Sequence, residues 1–317
     1  MSATQLKVVG TPTAKGNSGS QKDDARGDLS GRLSEELVMP PSGPVGCGIE
    51  LVRDGLEAQL KKRGYRVVHI KVTSHFKELA QELGVPDSTD AATGEFGRIS
   101  SYQDLGNDLR EVLGEDLGAQ IALRAIAVDR LTAAESAEDK DVDPERITPK
   151  RVAYIVDQLK NPKEVQLLRD VYGNLFFLVG VLSGYERRKR NLTGKRMSEP
   201  DAVQLMDRDR AEVKKDGRGS GGQQLEKTLK AADFFLRNSS GNSSDLAVQL
   251  ERFVNLLHGD LGITPTIAER GMYAAYSAAM RSACLSRQVG AAIASPTGAI
   301  LSTGCNDVPM RGGGLYE

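Results

Sequence analysis

The clearest chemical signal is a loop, Gly43-Pro44-Val45-Gly46-Cys47-Gly48, with the GxxxxG spacing of a phosphate cradle. It lies between a short apolar run and an amphipathic stretch, where backbone N–H groups and a helix N-terminus attract anions. Phosphoryl transfer needs more: a Lys for the phosphate charge and a Ser or Thr for Mg²⁺. Here Ile49 and Glu50 follow instead. Gly43, Gly46 and Gly48 are therefore candidate nucleotide-binding positions in a degraded loop, with weak or absent ATP turnover expected. A tight turn that binds nothing is the alternative. Asp157 is a second candidate, at the C-terminal end of the apolar run 151–157, the end where open α/β sheets bind ligands. Residues 186–222 hold 11 Lys/Arg against 7 Asp/Glu. Arg187, Arg188 and Arg190 in this stretch suit a basic lid over phosphate, or else a solvated helical hairpin.

Metal chemistry by this chain alone is not expected. The cysteines are Cys47, Cys284 and Cys305, with no CxxC pair, and the histidines are His69, His75 and His258. None has a second ligand at zinc spacing. So sparse a set suits a reducing cytoplasm better than a disulfide framework. Lys+Arg is 42 and Asp+Glu 43 in 317 residues, a net charge of −1, so no whole-chain attraction to nucleic acid or membrane follows. The apolar run Leu175–Leu182 is too short to span a bilayer, and the N-terminus has no signal-peptide core.

These residues must be held by a scaffold. Residues 1–33 read as a disordered tail. Glu36–Met39 reads as a strand, Pro40–Gly48 as a turn, Ile49–Gly64 as a helix closed by Gly64, and Tyr65–Val72 as a strand. That is a βαβ unit and argues a parallel sheet. Residues 77–150 read as mostly helical, with a loop near 86–97. Then follow a strand at 151–157, a helix at 162–172, a strand at 174–182, and a strand at 231–236 ending in a polar turn. An amphipathic helix, Leu246–His258, leads to a boundary at Gly259–Pro265. The last segment reads as a helix, Thr266–Arg281, then a hairpin, Gln288–Ala294 and Ala299–Thr303, around Ser295-Pro296-Thr297-Gly298.

Two stretches carry a family resemblance. The first runs Ala153-Tyr154-Ile155-Val156-Asp157-Gln158-Leu159-Lys160-Asn161-Pro162, through Glu164-Val165-Gln166-Leu167-Leu168-Arg169, to Val171-Tyr172-Gly173-Asn174-Leu175-Phe176-Phe177-Leu178-Val179-Gly180-Val181. It resembles the P-loop kinase-like domain of bacterial two-domain deoxycytidylate deaminases, the anti-phage dCTP deaminases. The order of glycine loop, strand-end Asp, Arg-rich lid and a late Ala232-Asp233 to Asn238 strand is also similar to nucleotide and dephospho-CoA kinases. The second comprises Met280-Arg281-Ser282-Ala283-Cys284-Leu285-Ser286-Arg287-Gln288-Val289-Gly290-Ala291-Ala292-Ile293 and Ile300-Leu301-Ser302-Thr303-Gly304-Cys305-Asn306-Asp307-Val308-Pro309. It resembles the start of the same family's deaminase domain.

The resemblance implies an α/β chain: a P-loop kinase-like parallel sheet with helices at 34–260, then the first helix and hairpin of a cytidine-deaminase-like α/β/α domain at 266–317. It implies a cytoplasmic deoxycytidine nucleotide (dCTP or dCMP) deaminase of the phage-defence type, using Zn²⁺ and acting on deoxycytidine nucleotides. A regulatory RNA or small regulator and a homo-oligomer are implied as partners, with no membrane. In the substrate pocket Asn306 would lie on the sugar side, Val289, Gly290 and Ala291 beside the base, and Arg287 near phosphate. Arg287 and Ser282 also read as helix-end residues, and Asn306 as an Asx-turn residue. The family's zinc motifs, HxE and PCxxC, have no match here. No catalytic residue or metal ligand is therefore assigned, and the chain is expected to be an inactive N-terminal part of the enzyme. The rival readings are a nucleotide-binding regulator without chemistry, and a nucleotide kinase, which the missing loop lysine disfavours.

Overall fold

The computed structural model describes residues 35–136, 151–210, 224–239 and 243–314. The predicted tail, 1–33, lies outside them. The chain is α/β and divides into two compact units, 1–239 and 240–317. The helix at 243–257 thus groups with the second unit.

The first unit is a parallel sheet with helical crossovers. Its strands are β1 (Leu37–Val38), β2 (Pro41–Ser42), β3 (Arg66–Lys71), β4 (Val152–Asp157), β5 (Val179–Leu182) and β6 (Phe234–Arg237). β1 pairs with β4 and β4 with β3; β2 pairs with β5 and β5 with β6. β1 and β2 are two halves of one extended segment. The sequence reading ended this strand at Met39, but it runs on to Ser42. Met39 N–H still donates to Tyr154 O at 2.8 Å, and Pro40 O accepts from Val179 N–H at 3.0 Å. Pro40 and Pro41 have no N–H, so each removes one ladder bond and the strand is interrupted there. The spatial order is β3-β4-β1/β2-β5-β6.

The crossovers are α1 (Ile49–Lys62), then α2 (Phe76–Leu83), α3 (Gly94–Leu113) and α4 (Leu117–Ser136), then α5 (Pro162–Tyr172), and finally α6 (Tyr185–Thr193), α7 (Glu199–Arg210) and α8 (Leu225–Lys230). α1 buries Ile49, Val52, Leu56 and Leu60. It ends as the sequence suggests: Gly64, at φ 80°, donates to Lys61 O while Tyr65 donates to Leu60 O, a Schellman closure. Val152, Tyr154 and Val156 of β4 join one core with Phe76, Leu105, Leu109, Leu117, Ile126, Val165 and Leu168. Ala153 and Ile155 alternate to the other face and are also buried, as a central parallel strand requires. Two predicted strands are shorter than expected. Gly173–Leu175 forms a tight turn before β5, and Ala231 and Ala232 close α8 rather than opening β6.

The second unit comprises α9 (Ser243–Leu257), α10 (Ile267–Ala279) and the antiparallel hairpin β7 (Gly290–Ala294) and β8 (Ile300–Cys305). Thr266 and Glu269 form a capping box at the start of α10, and Arg252 of α9 grips Glu269 through both Nη atoms at 2.9 Å. No helix among the described residues is long and apolar enough to cross a membrane.

Candidate functional site

The chain leaves β2 toward β3 on one side of the sheet and leaves β4 toward β5 on the other. The C-terminal ends of these adjacent strands therefore flank a topological switch point, where open α/β sheets bind ligands. The glycine loop and the segment after Asp157 meet there: Ser42 Oγ donates to Leu159 O at 2.6 Å and Lys160 Nζ to Gly43 O at 3.1 Å.

The loop turns through Cys47 N–H on Pro44 O, with Gly46 at φ 80° and Gly48 at φ 87°, conformations that favour glycine. Protein packs closely on all three glycines. A Cβ on Gly43 would lie 2.7 Å from Val181 O, one on Gly46 2.8 Å from Arg188 O, and one on Gly48 2.4 Å from Asn238 Nδ2. The loop carbonyls are taken up by side chains. Besides Lys160, Arg188 Nε donates to Val45 O, Asn191 Nδ2 to Gly46 O and Asn238 Nδ2 to Cys47 O, at 2.8–2.9 Å. The Val45 amide points at an anion of the protein's own, donating to Asp209 Oδ2 at 2.7 Å. Asp209 Oδ1 accepts from Lys160 Nζ at 3.0 Å, and both side chains are buried.

Sequence reasoning did not single out Lys160, Asn191 or Asp209. Lys160 reaches the loop from the turn after β4. Its backbone N–H is fixed by Glu164 Oε2 at 2.7 Å, inside the capping box that Asn161 and Glu164 make for α5. The Asn161-Pro162-x-Glu164 pattern announced that helix start, but nothing in it announced where the preceding lysine would point. Of the lid arginines, Arg188 reaches the loop and Arg190 is exposed. Arg187 Nε is buried and makes no hydrogen bond among the described residues. Glu50, an unwelcome charge beside a polyphosphate, is paired with Lys195 at 2.8 Å.

Asp157 is half-buried and its carboxylate accepts no hydrogen bond among the described residues. Burial pushes its pKa up, opposed by Arg53 and Lys71 and reinforced by Glu50. The next residue, Gln158, has φ 52°, a strained value for a non-glycine residue. Asp233 of the Ala232-Asp233 pair is structural: it accepts from Arg169 of α5 at 2.8 Å and from Leu178 N–H at 2.7 Å. Cys47 is buried, and that burial pushes its thiol up to about 12.

In the second unit, hairpin register brings Val289, Gly290, Ala291 and Asn306 together. Asn306 Oδ1 accepts from Val289 N–H at 2.8 Å and its Nδ2 donates to Arg287 O at 3.0 Å. Its amide is thus engaged in holding the turn before β7, the Asx-type role. Ser282 Oγ donates to Asn306 O at 2.7 Å. The Arg287 side chain is exposed. Gly290 lies so close under α10 that a Cβ would sit 1.9 Å from Ala275 O. Hydrogen bonds from Ser286 and from the Arg287 and Ser286 amides bring the Cys284 thiol down to about 7.

Among the described residues, no three His, Cys, Asp or Glu side chains cluster to hold a metal ion. An open depression of about 520 Å³ is lined by Glu115, Asp116, Lys163, Gln166, Leu167 and Asp170, none of them in the glycine loop.

No family model and no curated protein matches the chain. Among solved structures it is similar to TT1252 from Thermus thermophilus, at 17% identity over 72% of this chain and 100% of that one, with a TM-score of 0.33. It is also similar to an uncharacterized protein from Eubacterium ventriosum ATCC 27560, at 9% identity over 69% and 98%, with a TM-score of 0.31. At these values the likenesses carry no functional argument.

Proposed function

We propose that the chain belongs to a cytoplasmic deoxycytidine nucleotide deaminase of the phage-defence type, in which the first unit binds a nucleotide and the second begins the deaminase domain. The observation that carries this reading is the order of parts. A parallel sheet with a glycine loop at its switch point precedes a capped helix packed on an antiparallel hairpin. The overall reaction converts dCTP or dCMP and water to the deoxyuridine nucleotide and ammonia. Zinc supplies the activated water in this chemistry. The described residues offer it no ligands, so no step is assigned to a residue of this chain. The contribution expected of residues 43–48, Lys160 and Arg188 is to bind phosphate. Those of the second unit support the base-side wall through Val289–Ala291, with Asn306 fixing their approach.

The test reads the locus beyond codon 317 for HxE and PCxxC in all frames, and assays the encoded product for zinc and for ammonia release from dCTP and dCMP. Deamination supports the assignment. A zinc-loaded product that deaminates no cytosine nucleotide overturns it.

The absence of a lysine at the loop's own end favours a second reading, a nucleotide-binding regulator without chemistry. It requires dCTP or ATP to bind without turnover, and Gly48→Val to abolish binding.

A further inference from the structure

We propose that Asp209 is a built-in occupant of the phosphate position of the glycine loop, and that a polyphosphate binds by displacing it and taking over Lys160. The proposal rests on the nucleotide-binding reading of the first unit. The loop amide that faces an anion, Val45 N–H, is held by one oxygen of Asp209, and the other holds Lys160. Asp209 is 4% exposed and Lys160 7%. Two charges so far from water are tolerated only when paired and hydrogen-bonded, so Lys160 demands an anion beside it in every state. A phosphoryl group offers what Asp209 offers, negative charge and several acceptor oxygens, and offers more of each.

Arg187, next to Arg188 on α6, carries a buried Nε with no acceptor among the described residues. A buried guanidinium N–H without a partner is a donor in want of an oxygen. α6 and α7 also have packing of their own. Leu192, Met197, Ala202, Leu205 and Met206 form a small apolar cluster of their own, with Val45, Phe96 and Ile99 against it, separate from the main core. Displacing Asp209 would release its bonds to Val45 and Lys160 without opening that core.

The test measures binding of dCTP and of inorganic tripolyphosphate to the full chain and to Asp209→Asn by calorimetry. Loss of the competing charge is expected to tighten both by tenfold or more. Because the variant leaves Lys160 without its carboxylate and could unfold, amide hydrogen exchange is followed in the unaltered chain as well. Saturating tripolyphosphate is expected to speed exchange across residues 199–210. Equal affinities for the two proteins, with exchange in 199–210 unchanged or slowed, overturn the latch and leave nucleotide binding standing. Failure of both ligands to bind either protein overturns the latch and the nucleotide-binding reading together.

Discussion

Glu164 shows how much of this molecule hangs on single buried charges. It is fully buried and accepts from Arg110 Nε and Nη2, Gly118 N–H, Lys160 N–H and Asn161 N–H. Glu164→Gln would turn an amide NH₂ toward some of these donors and leave Arg110 uncompensated. A loss of about 3–5 kcal/mol is expected in denaturant unfolding, the cost typical of breaking a buried ion pair. Asp157 is a carboxylate whose burial is not offset by such partners. Its folded-state pKa lies above the ordinary 3.8. The folded chain therefore binds the extra proton in the window above 3.8, and this residue's contribution to stability falls as pH rises through it. Asp157→Asn is expected to raise the Tm at pH 7 and to leave it unchanged below pH 3.8, checked by thermal melts across that range. The cysteines separate cleanly too. Cys284, with its thiol near 7, is expected to alkylate with a midpoint near that pH, while buried Cys47, near 12, stays unmodified in the folded chain. Mass spectrometry of iodoacetamide-treated protein distinguishes them.

Among the elements, those with local signals were legible in sequence. The Schellman glycine after α1, the Asn161-Pro162-x-Glu164 start of α5 and the Thr266/Glu269 box of α10 each state their own ends. The strand through Pro40 and Pro41 was not legible beyond Met39. Two consecutive prolines ordinarily argue against a central strand, and only pairing on both sides, invisible in the local pattern, keeps this one extended. The site was half legible. Glycine spacing marked the loop, and of the three arginines offered for a lid Arg188 reaches it, but Lys160 and Asp209 stand 117 and 166 positions from Gly43, and only the fold brings them there. The loop itself tolerates little. Gly48→Ala would place a Cβ against Asn238 and force a left-handed conformation on a residue with a side chain. It is expected to cost at least about 1–2 kcal/mol in chemical denaturation.

For the whole molecule, the second unit leaves a good deal of apolar surface in water. Met272, Tyr273 and Tyr276 along α10, Met280 just after it, and Ile293 and Leu301 on the hairpin, are each more than 60% exposed. Exposed large apolar side chains in such number promote association. Tyr276→Lys is expected to lower the apparent mass of the chain in light scattering at high concentration, with the melt of the first unit unchanged.

The order β3-β4-β1/β2-β5-β6 has a consequence for synthesis. The middle strand leaves the ribosome first, but its partner on one side begins at Val152 and that on the other at Val179. For more than a hundred residues of elongation, at least several seconds at ~5–20 residues per second, residues 37–42 have no neighbour to pair with. An unpaired apolar strand in a nascent chain invites pairing with other chains. The missing amide hydrogens of Pro40 and Pro41 blunt that hazard. They deny a stray strand part of its hydrogen-bonding ladder while leaving the Pro40 carbonyl that later accepts from Val179 N–H. Replacing both prolines with valine would be expected to give a less soluble nascent product from a sheet that, once complete, is no less stable. Comparing soluble yield with equilibrium stability of that double variant would expose the difference.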